Sequence, residues 1–132
     1  MFDTKRQSWT FSSAGELHFG CQVIRELGRL LKHRGYSRAM LITDQTLVQL
    51  GMAERVEEIL EKAQISSLTF DQGAPDPAVS IAEEAARMAK DFQPDCLIGL
   101  GGGSNMDVAK VTAILHTHQG EPARYFGFDR VP

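Results

Sequence analysis

The sequence predicts an α/β fold: an open, mainly parallel sheet with helices on both faces, entered through an N-terminal β-hairpin. Three observations predict it. The runs "AMLIT" (Ala39–Thr43) and "CLIGL" (Cys96–Leu100) are short and continuously apolar, as strands buried on both faces are. The stretches between such runs carry apolar residues at helical spacing. The links are short, and alternation of this kind favours parallel strands joined by crossover helices.

The elements follow in order. "WTFSSAGELHFG" has aromatic and β-prone residues around Ser12–Gly15, a hairpin pattern with its turn at Ala14-Gly15. Val23, Leu27, Leu30 and Leu31 mark one face of a first helix, and Gly35 stops it. "AMLIT" is the first buried strand. Ala53, Val56, Ile59, Leu60 and Ala63 form the next helical stripe, and "SLTF" (Ser67–Phe70) the next strand. "GAPDPA" is a turn in which Asp76 can cap a helix with Pro77 in its first turn. Ile81, Ala85, Met88 and Ala89 give that helix its face; "CLIGL" is the following strand, and Val108, Val111, Thr112 and Leu115 mark the last helix. The segment "HQGEPARYFGFDRVP" has no clear period. The chain stops there at Pro132, which points to a longer parent protein.

The 132 residues suit one domain with a real core, and 42% apolar against 23% charged residues is ordinary for a globular protein. A formal net charge of −3 favours neither nucleic acid nor an anionic membrane. The start "MFDTKRQSWTF" lacks the apolar core of a secretory signal, and no run approaches membrane-spanning length. Cys21 and Cys96 stand far apart and form no metal-type pair; Cys96 reads as a buried, reduced thiol. A cytoplasmic setting is the expectation.

The chemistry concentrates in "CLIGLGGGSNMDVAK" (Cys96–Lys110). A strand ends, side chains vanish at Gly101, Gly102 and Gly103, and a helix begins. In open parallel sheets ligands bind beyond the carboxyl ends of the strands. Glycine allows positive φ and close approach of a ligand, Ser104 can cap the helix, and free first-turn amides with the helix dipole favour a phosphate or diphosphate. The alternative is a tight turn with no ligand. The spacing is not the dinucleotide fingerprint, because Ser104 stands where its third glycine would be. No Gly-Lys-Ser/Thr follows, so it is not a P-loop either.

Two acids near strand ends each allow two readings. Ser104-x-x-Asp107 matches a capping box, yet Asp107 could equally accept from a ribose or substrate hydroxyl. Asp44 follows "AMLIT" and could bind the two hydroxyls of an adenosine ribose, or simply cap a helix over "QTLVQL". Lys110 could neutralise phosphate or be only solvated. His116 and His118 are two apart and share no helix face, and His18 and His33 are isolated, so no metal site is expected in this chain.

"GGGSNMDVAK" resembles the GGGS-x-x-D-x-A-K signature of the iron-containing (group III) alcohol dehydrogenases. "HFG", "LITDQTLVQLG", "FDQGAPDPAVS" and "YFGFDRVP" resemble further segments of that family, in the same order. The resemblance implies that residues 1–132 are the Rossmann-like N-terminal NAD(P)-binding domain of a two-domain oxidoreductase. It assigns diphosphate binding to Gly101, Gly102, Gly103 and Ser104, and a place in the nicotinamide half of the site to Asp107. It makes Asp44 the acid that favours NAD over NADP. Asp76 stands where the family pattern P-N-P-T has asparagine near the cofactor, a departure that strengthens the helix-cap reading.

The family's metal ligands, one aspartate and three histidines, lie in a C-terminal helical domain that nothing here matches. Fe2+ or Zn2+ would sit there, polarising an alcohol oxygen while hydride passes to the nicotinamide. The expected function is the cofactor-binding half of a metal-dependent alcohol dehydrogenase, inactive as this fragment alone. Alternatives within the superfamily are glycerol dehydrogenase, maleylacetate reductase and dehydroquinate-synthase-like proteins. Alternatives of another class are a non-catalytic nucleotide-binding module and a flavodoxin-like signalling module. The expected partners are a small alcohol or aldehyde and further copies of the chain, as a homodimer or larger homo-oligomer.

Overall fold

The computed structural model describes residues 15–118 and 122–125. Its centre is a parallel sheet of β1 (Arg38–Ile42), β2 (Ser66–Phe70) and β3 (Cys96–Gly99), in the spatial order β2-β1-β3. A 3-10 turn at Val23–Glu26 leads into α1 (Leu27–His33). Between β1 and β2 come α2 (Gln45–Gln49) and α3 (Met52–Lys62). Then α4 (Val79–Phe92) joins β2 to β3, and α5 (Gly103–Thr117) follows β3.

β1 is the middle strand, and Ala39, Met40, Leu41 and Ile42 are wholly buried. The pleat divides them between two layers. Met40 and Ile42 join Phe70 and the small-residue faces of α4 and α5 (Ala82, Ala85, Ala89, Val108, Ala109). Ala39 and Leu41 join Leu31 of α1 and Ala53, Val56 and Leu60 of α3. The continuous apolar run is therefore a consequence of cover on both sides, and helices lie on both faces as the sequence predicts.

Asp95 ties the amino ends of β1 and β3 together. Burial resists its ionisation, but amide donations from Ser37 (2.8 Å) and Arg38 (2.9 Å) and the Ser37 hydroxyl (2.9 Å) outweigh that and hold its carboxyl below the usual range. Arg38 stacks on the Phe92 ring, 4.4 Å from its centroid.

Two expectations change. The arm 15–20 of the expected hairpin carries no strand: Leu17 and Phe19 are 90% and 97% exposed, and among the described residues no strand lies beside them. Its first arm, Trp9–Ala14, lies outside the described residues, as does most of "YFGFDRVP". Asp76 does not cap α4. It takes φ 50, whereas a capping residue needs extended backbone, and the helix begins only at Val79 with Ala78 in the cap position.

Thr112 on α5 is fully buried, and its hydroxyl has no hydrogen-bond partner among the described residues. An unpaired buried hydroxyl costs about 1–3 kcal/mol. Thr112→Val keeps the shape and removes the polar atom, so thermal or urea melts should show it stabilised by about 1 kcal/mol.

The chain passes from β1 to β2 by α3 on one face and from β2 to β3 by α4 on the other. It thus changes sides between β1 and β3. In doubly wound sheets this switch point opens a crevice at the carboxyl ends of the two strands. Those ends carry Asp44 and the glycine turn.

Candidate functional site

The turn after β3 is pinned before it opens. The Leu100 amide donates to the Ile42 carbonyl (2.9 Å), and the Leu100 carbonyl accepts from the Thr43 hydroxyl (3.1 Å) and Asn105 Nδ2 (2.9 Å). Gly101 then takes φ 133, a conformation side chains rarely adopt. A Cβ there would strike Asn105 Nδ2 and approach Leu47 Cδ1 to 2.9 Å. Glycine at 101 is required by the protein's own packing.

Gly102 and Gly103 are different. Gly102 is extended (φ −79, ψ −171) and Gly103 opens α5 without positive φ. A Cβ added at either would meet nothing within 4 Å. Backbone strain and internal packing therefore leave both positions free to carry side chains. What their bareness leaves open is space beside the first-turn amides of α5, which by helix geometry have no carbonyl one turn back. Gly102, not Ser104, holds the cap position, and no side chain caps the helix. Ser104 sits inside the first turn because the helix starts two residues earlier than a serine cap would set it.

Asp44 combines its two readings. Oδ1 accepts from the Leu47 amide (3.0 Å), so it caps α2. Oδ2 accepts from Asn105 Nδ2 (2.7 Å), which ties it to the glycine turn. These donors, Leu47 first and then Asn105, hold its carboxyl below the usual range, so it is an anion and an acceptor at neutral pH.

Asp107 lies one turn further along α5, exposed, with Lys110 Nζ at 3.2 Å. The capping box is not formed, because Ser104 is not the cap. The structure thus joins Asp44 with the turn at Gly101–Ser104 and sets Asp107 beside it on the same helix. Asp76 is not joined to them by a hydrogen bond among the described residues.

Sequence reasoning missed Asn105. It is 3% exposed and shares the buried face of α5 with Val108, Ala109 and Thr112. The signal was available: an amide in helical phase with three buried positions must find partners inside. The Cys96 thiol is pushed up to about 11 by burial and then by Asp95, so it stays protonated at neutral pH and is no nucleophile. Among the described residues no group of three or more His, Cys, Asp or Glu could hold a metal ion, and no helix is long and apolar enough to cross a membrane.

This geometry can be set against known proteins. The chain is 37% identical over 84 residues to the bifunctional aldehyde-alcohol dehydrogenase AdhE of Escherichia coli K12, covering 64% of this chain and 9% of that protein. It is 33% identical over 108 residues to long-chain-alcohol dehydrogenase 1 of Geobacillus thermodenitrificans, covering 82% and 27%. It superposes on the NADH-dependent butanol dehydrogenase A of Thermotoga maritima with a TM-score of 0.84 at 25% identity, covering 90% and 30%. The chain spans less than a third of each of these proteins. The family model for iron-containing alcohol dehydrogenases matches residues 14–132. A match over nearly all of the chain, together with the shared fold, gives the conclusion that the chain belongs to the iron-containing alcohol dehydrogenase family.

Proposed function

We propose that the chain is the NAD-binding half of a metal-dependent alcohol dehydrogenase. The observation that carries this reading is the pair Gly102 and Gly103. Both are bare where the fold permits side chains, beside first-turn amides that lack an intrahelical acceptor and a side-chain cap, at the switch point of the sheet. A diphosphate fits that surface: amides and the helix dipole face it, and no Cβ intrudes. Asp44, ionised one strand away, fits the ribose hydroxyls of NAD and repels the 2′-phosphate of NADP. The NADH dependence of the Thermotoga maritima relative supports the same cofactor.

Asp107, exposed one turn along α5, is proposed for the nicotinamide half of the site. Asp76 keeps no argued contact. Fe2+ or Zn2+ belongs by this reading to a C-terminal helical domain outside this chain, where it would polarise the substrate oxygen. A cytoplasmic protein acting on a small alcohol or aldehyde, as a homodimer or larger homo-oligomer, completes the proposal. Ser104 after the glycines favours alcohol dehydrogenase over the glycerol dehydrogenase and dehydroquinate-synthase types.

The test is direct binding. Titration of the chain into NADH should enhance or quench nicotinamide fluorescence, and ADP-ribose should compete where adenosine does not. Neither alcohol oxidation nor aldehyde reduction should appear with this chain alone, even with added iron or zinc. Absence of NADH binding, or competition by adenosine as strong as by ADP-ribose, overturns the reading.

A further inference from the structure

Asn105 touches the segments that leave all three strands. Its Nδ2 donates to Asp44 Oδ2 after β1 and to the Leu100 carbonyl after β3. Its side chain also fills a slot between two glycines. A Cβ at Gly101 would strike Nδ2, and one at Gly73, after β2, would strike Oδ1. Gly73 is itself fixed by its amide donation to the Thr43 carbonyl (2.9 Å). Both partners of Nδ2 are pure acceptors, so only the NH2 end of the amide can face them.

The effect falls on Asp44. An aspartate carboxyl turns easily about its last bond. Here each oxygen is held by a donor from a different element, Leu47 of α2 and Asn105 of α5. The plane of the carboxylate is fixed, with the Thr46 amide as a further donor, and the carboxylate keeps acceptor capacity for a ligand. Two fixed, adjacent acceptors match the two neighbouring hydroxyls of a ribose. The same residue also carries the third amide of α5, so one residue couples the acid to the cradle.

We propose that Asn105 is a positioning residue for cofactor specificity: it holds the Asp44 carboxylate ready for the diol of a ribose and thereby sets preference for NADH over NADPH. This rests on the reading of Asp44 as the ribose acid. Without Asn105 the carboxylate is held only from α2, Oδ2 loses its fixed donor, and NADH loses a preorganised partner. NADPH, whose 2′-phosphate Asp44 repels, loses none.

The experiment is a set of NADH and NADPH titrations of the chain carrying Asn105→Ala, Asp44→Gly and both. Asn105→Ala should weaken NADH about tenfold, the worth of one charge-assisted hydrogen bond, with NADPH changed less than about twofold. In the Asp44→Gly background, Asn105→Ala should not alter the NADH/NADPH ratio further. Asn105→Ser, which keeps a small polar group in the slot, gives the same test if the alanine variant melts at assay temperature.

Equal losses for the two dinucleotides would show that Asn105 only supports the turn and would overturn the proposal. So would an unchanged ratio in the Asn105 variants when Asp44→Gly does shift it. A ratio untouched by Asp44→Gly itself, or no binding by the unsubstituted chain, overturns the underlying reading and the inference with it.

Discussion

Replacing Gly102 and Gly103 together by valine is expected to abolish dinucleotide binding while leaving the fold nearly as stable as before. Replacing Gly101 by alanine is expected to damage the fold. At Gly102 a valine loses a favourable cap residue, about 1 kcal/mol. At Gly103 it recovers part of the cost of glycine inside a helix, about 0.3 kcal/mol, because valine is itself a weak helix former. The net loss is below about 1 kcal/mol, and a Cβ at either position meets no atom within 4 Å beyond its own chain neighbours and helix backbone. The new methyl groups occupy the space a diphosphate needs, so NADH affinity should fall about 100-fold or more. At Gly101 the φ of 133 and overlap with Asn105 act together, for a loss of about 3 kcal/mol. Chemical melts and NADH titrations of both variants check this. A large stability loss in the double valine variant would mean that the cradle serves the fold rather than a ligand.

Asp44→Gly is expected to shift the NADH/NADPH affinity ratio about 100-fold toward NADPH. One factor of about ten comes from the lost hydrogen bonds to the ribose hydroxyls. Another comes from removing an anion that opposes the 2′-phosphate. Glycine costs only a few tenths of a kcal/mol as a replacement cap for α2. The larger cost is the Asn105 amide, left buried without one acceptor, about 1–3 kcal/mol. A chain containing Asp44→Gly should therefore melt lower, and adding Asn105→Ala should recover part of the loss. Titration of both cofactors and a thermal melt decide it; an unchanged ratio removes Asp44 from cofactor choice.

The sheet was legible because its strands are extreme. Ala39–Ile42 is apolar without alternation, and that pattern has no other stable home than the middle of a layered sheet. The stripe Ala53, Val56, Leu60 was equally plain, since three of its positions lie in the core. Local geometry was less legible. Three glycines read alike as letters, yet only Gly101 is held by backbone and packing, and this distinction moved the helix cap from Ser104 to Gly102. At Asp76 the composition of a cap was present, but left-handed backbone there delayed the helix to Val79. Asn105 was passed over because its distant partner, Asp44, is brought to it only by the parallel pairing of β1 and β3, while Leu100 reaches it through the local turn.

The middle strand also sets how the molecule breathes. Deuterium should reach the amides of Met40 and Leu41 only when the whole domain opens, since both residues are wholly enclosed. Past the end of the neighbouring strand β3, the amides of Gly103 and Ser104 have no intrahelical acceptor to shield them and should exchange almost as fast as in a free peptide. A visiting anion would thus be gripped by labile hydrogens set beside the slowest-opening strand.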